Sequence, residues 1–330
     1  MAVVSGTNVT YGGIGIREDL EDTIWDLFPE DTYALTTLNK VSAQQTFHEW
    51  QADTLGAAAA NRQLEGDDAT FASAAQPTRY GNYTQISRKT FIISETFEAV
   101  NKAGRSSEVA RVSMKAMREL KRDIELALVG NQAASAGGAT TVRSCAGMES
   151  WIPGPTTTAG GTGSNAVRPT TVTTGTTTAI TSGGPDAPTD PATTAALVED
   201  ALKTALEGSW DDGGDVDVVL SRPVQKKLID QFTGVATRFV DVARGAQASI
   251  TGAADMYVSD FGTHKIVLHR YMRTSVVLCL DTSMWAVAFL RRPFTEQLAK
   301  TGDATKHQLL AEFTLVARNP IANAKVVGLT

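Results

Sequence analysis

GRSSEVARVSMKAMRELKRDIELALVG, residues 104–130, is the stretch from which the rest of the chain can be placed. Its apolar residues Val109, Val112, Ala116, Leu120, Ile124 and Ala127 recur at steps of three or four, which is one stripe along a helix. Ser106 or Ser107 suits the N-cap, Glu108 the first turn, and Gly130-Asn131 the end. Met, Ala, Leu, Glu, Lys and Arg between them all favour helix. Lys115 and Glu119, and Lys121 and Glu125, stand four apart, so they are expected to form weak charge pairs on a solvated outer face. At ~1.5 Å per residue a helix over 105–129 is roughly 36 Å long. It is too charged to cross a membrane. Such a helix is either a beam on which other elements lie or a member of an ordinary α/β domain; its flanks decide.

Working backwards, residues 83–94 (Ile86, Thr90, Phe91, Ile92, Ile93) favour strand. Residues 45–51 also read as a strand. Between them, 52–82 carry four consecutive alanines, Asp67-Asp68, Pro77 and Gly81, with Leu55, Leu64, Phe71 and Tyr80 as the few large apolar residues. The chain leaves on one strand, makes a long polar excursion, and returns on another into the helix. A loop of this length in a compact domain ordinarily binds something or is disordered. Residues 17–28, with Leu20, Ile24, Leu27 and Phe28, predict a short amphipathic helix stopped by Pro29. It follows an extended arm over 1–16. Such a helix either packs on its own core or reaches a neighbouring subunit.

Working forwards, 153–194 are dominated by Thr, Gly, Pro, Ala and Ser and cannot bury enough apolar surface to fold alone. From Ala195 the pattern becomes α/β: a helix at 195–207, a turn at Asp211-Asp212-Gly213-Gly214, and a buried strand at 216–220. A helix capped by Ser221 follows, with Pro223 in its first turn and Leu228 and Phe232 on its apolar face. Strands follow at 265–269, 275–280 and 285–290. Over 308–317, Leu309, Ala311, Phe313, Leu315 and Ala317 alternate onto one face.

The chain has 330 residues, 42% of them hydrophobic and 20% charged, with a net charge of −6. That composition suits a globular protein with a sizeable core. It argues against gripping nucleic acid by phosphate neutralisation, though not against enclosing it. Cys145 and Cys279 form no metal spacing and read as buried free thiols. The first residues lack the pattern of a signal peptide, and no run of about 18 apolar residues occurs.

Catalytic motifs are absent from the sequence. It has no GxSxG and no glycine-lysine pair. Gly12-Gly13-Ile14-Gly15 lacks the strand and third glycine of a phosphate loop, and the Gly160–Gly163 run reads as loop. His48-Glu49 opens like a zinc-protease helix, but position 52 is Ala. His264 and His269 flank a strand and read as structural or surface residues, and His307 stands alone. Asp211, Asp212, Asp215 and Asp217 fit turn chemistry better than a Ca²⁺ loop. No catalytic residue, cofactor or metal is expected.

The order of arm, strand, excursion, strand, long helix, α/β portion and C-terminal strand resembles the major capsid protein of tailed bacteriophages. Residue patterns resemble a podovirus-type subfamily: Arg17–Leu20, Glu49–Leu55, Ala103–Arg105, Glu119–Asp123, Ser259–Gly262, Trp285–Arg291, Leu298–Asp303 and Phe313–Asn319. The resemblance implies an α+β fold with N-terminal arm, extended loop, peripheral domain with a long spine helix, and axial domain. Carried onto this chain it places the arm at 1–44 and an extended β-hairpin loop at 45–94. The peripheral domain takes 95–152 with the spine at 105–129, and a Thr/Gly/Pro-rich loop takes 153–194. A mainly axial domain takes 195–290, and 291–330 return to the peripheral domain.

The implied function is structural: pentamers and hexamers of an icosahedral head, assembled in the bacterial cytoplasm, enclosing double-stranded DNA without sequence-specific binding. The implied partners are the chain itself and a portal protein, with either a separate scaffolding protein or none, decoration proteins as an open option, and no membrane. Two features depart from relatives of this fold. Too few residues precede the excursion for a cleaved scaffolding domain. Residues 52–82 contain no Lys for covalent joining of subunits; the nearest is Lys89. An encapsulin-like shell around protein cargo and a hydrolase of unrecognised site remain as rivals, separable by particle contents and by a ligandable monomer.

Overall fold

The computed structural model describes residues 32–53, 55, 56, 58–68, 71, 73, 76–102, 105–152, 166, 167, 185, 195–232 and 255–330. The expected helix at 17–28, the Gly12–Gly15 segment and the Gly160–Gly163 run lie outside these. In chain order the elements begin with α1 (Tyr33–Thr37), β1 (Asn39–Ser42), β2 (Phe47–Ala52), β3 (Thr78–Tyr83) and β4 (Gln85–Ser94). Next come α2 (Glu95–Ala99), α3 (Glu108–Val129), α4 (Met148–Trp151), β5 (Ala166–Val167), α5 (Glu199–Asp211), β6 (Val218–Ser221) and α6 (Pro223–Ile229). The chain closes with β7 (Met256–Ser259), β8 (Gly262–Leu268), β9 (Val277–Leu280), β10 (Trp285–Leu298), β11 (Ala304–Ala317) and β12 (Ala324–Val326).

The long helix is α3, 22 residues. Ser107 is its N-cap, accepting from the Ala110 amide at 3.2 Å. It ends at Gly130, whose backbone is extended rather than left-handed. Ala116, Leu120, Ile124 and Ala127 are buried as the stripe requires, while Val109 and Val112 are only partly covered. Leu128 and Val129 are buried too, while Leu126 in the same turn stays half exposed. There Gly147 sits so close that a Cβ on it would lie 2.1 Å from the Gly130 carbonyl oxygen. The outer face departs from expectation. Lys115 and Glu119 meet only at 4.0 Å. Glu125 does not pair with Lys121; it is wholly buried and turned inward.

Three sheets form among the described residues. The first has the order β1-β10-β11-β4, with β1 parallel to β10 and the other pairs antiparallel. α3 lies across β4 and β11. The second is β5-β12-β9-β6-β8-β7, and the third is β2-β3 alone. Strands 45–51 and 83–94 were expected to close the excursion together. Instead β2 pairs with β3, Phe47 opposite Tyr83 through Ala52 opposite Thr78. β4 pairs with β11 of the first sheet. The excursion is therefore 53–77.

The C-terminal reading also changes. β10 and β11 are longer than expected and make one hairpin. Its register slips twice, between Phe289 and Arg291 and between Arg291 and Phe294. Pro293 falls within the second slip and beyond the end of β1, where β10 is an edge and no ladder partner is lost. β12 joins the second sheet beside β9 rather than the first. Ala195 bridges to Leu329, so the helix expected at 195–207 starts only at Glu199. Ser221 closes β6, opposite Leu268, and Arg222 takes the N-cap with Pro223 next.

The core runs through α1, α3, α4 and one face of the first sheet, then onto the Val218, Leu220, Leu278 and Leu280 side of the second. The opposite side of those strands (Val219, Val277, Cys279, with Ala324 and Val326 of β12) packs on α5. β6 and β9 are buried on both faces, which explains their unbroken apolar runs.

Candidate assembly surfaces

The excursion leaves from a rigid base. Trp50 on β2 donates its Nε1–H to the Ala317 carbonyl at 2.9 Å, and its ring lies 5.4 Å from that of Trp151. Asn82 on β3 is fully buried. Its Nδ2 donates to the carbonyls of Ala146 and Leu315, and its Oδ1 accepts from the Ala146 amide at 2.9 Å. Gly81 gives the Phe47 ring its place, since a Cβ there would lie 2.4 Å from the ring. Two polar side chains thus tie the two-stranded ribbon to β11 and to the turn before α4.

Beside this base lies a buried carboxylate met by two partly exposed arginines. Glu312 on β11 accepts from Thr84 at 2.9 Å, from Arg291 Nε at 2.9 Å, and from Arg143 Nη2. Arg143 also donates to the Thr84 carbonyl at 2.6 Å. A buried carboxylate is costly without donors; here two guanidiniums and a hydroxyl meet it. The cluster sits at the first register slip, so it pins the hairpin where the ladder is irregular.

Beyond the base the surfaces open. Every described residue from 53 to 79 is exposed, with Leu55 at 100%, Leu64 at 81% and Phe71 at 96%. The outer face of the β4-β11-β10 ribbon is open as well. Ile86 and Ile92 lie opposite Glu312 and Lys306, and Phe294 and Leu298 opposite Leu310 and Lys306, which puts all four on one face. All four are exposed. Nearer the base that face is covered: Ala286, Ala288 and Val316 pack with Ala43, Trp50 and Leu290.

The titratable residues singled out in the sequence are not brought together. His48 lies beside Trp50, and burial lowers its pKa. His307 stacks on Phe91 at 5.1 Å. His264 is buried between the Val216 carbonyl and Ser259 Oγ, locking the β7-β8 turn. Asp211 and Asp212 end α5, and Asp217 accepts from the Thr282 amide and hydroxyl. Cys145 and Cys279 are buried free thiols, each pushed up to about 12 by desolvation. Among the described residues no group of three His, Cys, Asp or Glu could hold a metal, and no helix is long and apolar enough to cross a membrane. Sequence reasoning missed Asn82, Glu312 and Glu125. Only Glu312 left a trace, as the one charge within the alternating run of β11.

The family model of the SU10 major capsid protein matches residues 3–330. The chain belongs to that family. It is a structural capsid protein of bacteriophage type. The major capsid protein of Escherichia phage Phieco32 is 24% identical, over 96% of this chain and 95% of its own length. The structure is similar to that described as the cyanophage A-1(L) capsid asymmetric unit, at 15% identity and a TM-score of 0.62, covering 96% of this chain and 97% of that one. It is also similar to that described as phage G gp27 major capsid proteins and gp26 decoration proteins, at 12% identity and a TM-score of 0.53, covering all of both chains. At these identities the likeness is one of fold: a mixed helix and sheet protein of the tailed-phage capsid kind.

Proposed function

We propose that the chain builds the closed icosahedral head of a tailed phage, as pentamers and hexamers of one sequence around double-stranded DNA. The observation that carries this is the contrast within 45–85. A long excursion exposes Leu55, Leu64 and Phe71, yet leaves from a base fixed by Trp50 and Asn82. An element held at its root and uncovered beyond it fits overlap with a neighbouring subunit. Many such contacts, each weak, sum to a strong shell.

In this reading the first sheet with α3 is the peripheral domain, the second sheet is mainly axial, and 1–44 is the arm. The net charge of −6 keeps the lining from gripping packaged DNA. Lys89, the lysine nearest the excursion, pairs with Asp123 at 2.7 Å on the α3 side. The subunits are accordingly held without covalent bonds. No catalytic residue, cofactor or metal takes part. A portal completes the particle, with a separate scaffolding protein or none and with or without a decoration protein, and assembly takes place in the bacterial cytoplasm. The motifs between Arg17 and Asn319 support a podovirus-type subfamily. Electron microscopy of the purified chain tests the reading. Closed shells are expected, and persistent monomer or dimer under all assembly conditions would overturn it.

A further inference from the structure

Glu125 is an anomaly in α3. Its position four residues after Lys121 suits a solvated face, yet it is 0% exposed in the core. Its donors come from two distant parts of the chain. The amides of Ala34 and Leu35, in the first turn of α1, donate to Oε1 at 2.7 Å and to Oε2 at 2.8 Å. His269, in the turn after β8, lies with Nε2 2.7 Å from Oε1. The Tyr271 amide donates to His269 Nδ1 at 3.3 Å, so Nδ1 accepts and Nε2 carries the proton given to Glu125. His269 is fixed from behind by its own amide, which donates to the Ser221 carbonyl at 2.9 Å. Arg122, one turn earlier on α3, lies 5.8 Å from the Tyr271 ring centroid.

We propose that Glu125 and His269 form a latch: the root of the N-terminal arm, residues 33–43, and the turn at 269–273 seat and unseat as one unit. The number of donors to Glu125 decides the coupling. With both in place the carboxylate has three. If α1 leaves, one remains; if His269 turns away, two remain. A buried carboxylate short of donors is strongly unfavourable, so loss of either partner weakens the hold on the other. The remaining hold on the root is modest. Ala34, Leu35, Leu38 and Ala43 are buried, the Ala43 amide donates to the Phe289 carbonyl at 3.0 Å, and β1 adds a four-residue parallel pairing at the sheet edge. β8, in turn, lies parallel beside β6, so the latch joins the arm to the second sheet through one side chain of α3. The inference concerns contacts within one chain and stands apart from the shell reading.

Native-state hydrogen exchange on the full-length chain tests it. Across a low-denaturant series, the amides of Ala34, Leu35, His269 and Tyr271 should open along one isotherm, before global unfolding exposes the centre of α3. Two separate isotherms, or merging of all four with global unfolding, would overturn the latch. His269→Leu adds a second test. It should speed exchange at Ala34 and Leu35 by at least fivefold, although His269 touches neither amide. Unchanged rates at those two amides would reduce Glu125 to a simple cap on α1 and sink the coupling.

Discussion

The arm root at 33–43 and the excursion at 53–77 lie on either side of β2 in the chain, and they behave in opposite ways. The root lays Ala34, Leu35 and Leu38 into the core and has its first amides bound by Glu125. The excursion shows its large apolar residues to solvent, and its described contacts beyond β2-β3 are local, such as the Asp67 amide on the Leu64 carbonyl. Ordering each residue costs roughly 1–2 kcal/mol of backbone entropy. A buried apolar side chain returns only ~1.5–3 kcal/mol. The root buries Ala34, Leu35, Leu38 and Ala43, pairs β1 along the sheet edge and has two amides bound by Glu125, so its own chain supplies partners that offset part of that cost. The described residues of the excursion bury no large apolar side chain, and under the proposed function a neighbour supplies the partners.

Single truncations break or uphold this contrast most sharply. Phe313→Ala, in the core facing α3, should lower unfolding stability by about 3–5 kcal/mol, and Leu35→Ala by about 2–5 kcal/mol. Phe71→Ala should leave it within ~0.5 kcal/mol while reducing shell yield. Chemical denaturation of the unassembled chain measures all three. A large loss from Phe71→Ala would place the excursion in the core.

Thiol chemistry probes the same boundary. Cys145 and Cys279 rise from the ordinary 9.0 to about 12 through burial. At pH 8 they should resist a thiol reagent in the native chain, whereas a cysteine introduced by Phe71→Cys should react at once. Because the folded values are raised, the two thiols' contribution to stability is whole below about 9 and is lost as the pH rises toward about 12. Urea midpoints taken from pH 8 to 11 should fall accordingly, and a flat profile would contradict closed burial.

The smallest effect expected is none. Particles boiled in detergent should run as single chains of 35.0 kDa, because Lys89 is held by Asp123 and the excursion has no lysine of its own. A ladder of multimers would show that the excursion is fixed to its neighbour by bonds rather than by packing.

Regular periodicity made some parts of the fold legible in sequence and left others hidden. Leu120, Ile124 and Ala127 announced α3, and the alternation from Leu309 to Ala317 announced β11, because burial on one face writes a period. Pairing partners were not legible: β4 was assigned to β2, yet it joins β11, since strands of similar composition carry no address. Glu125 and Asn82 were missed for a related reason. A buried polar residue looks like a surface one until its donors are known, and those donors lie 91 and 64 positions away. The large apolar residues of the excursion were readable as too few to anchor it on its own subunit, and Leu55, Leu64 and Phe71 are indeed exposed.

The central claim is that the excursion joins subunits and does nothing for its own fold. Replacing residues 54–76 by a short Gly-Ser turn leaves β2, β3, Trp50 and Asn82 in place. Electron microscopy and circular dichroism of this variant should show a folded chain with nearly unchanged melting and no shells. Normal shells from the variant, or a chain that fails to fold, would contradict the account.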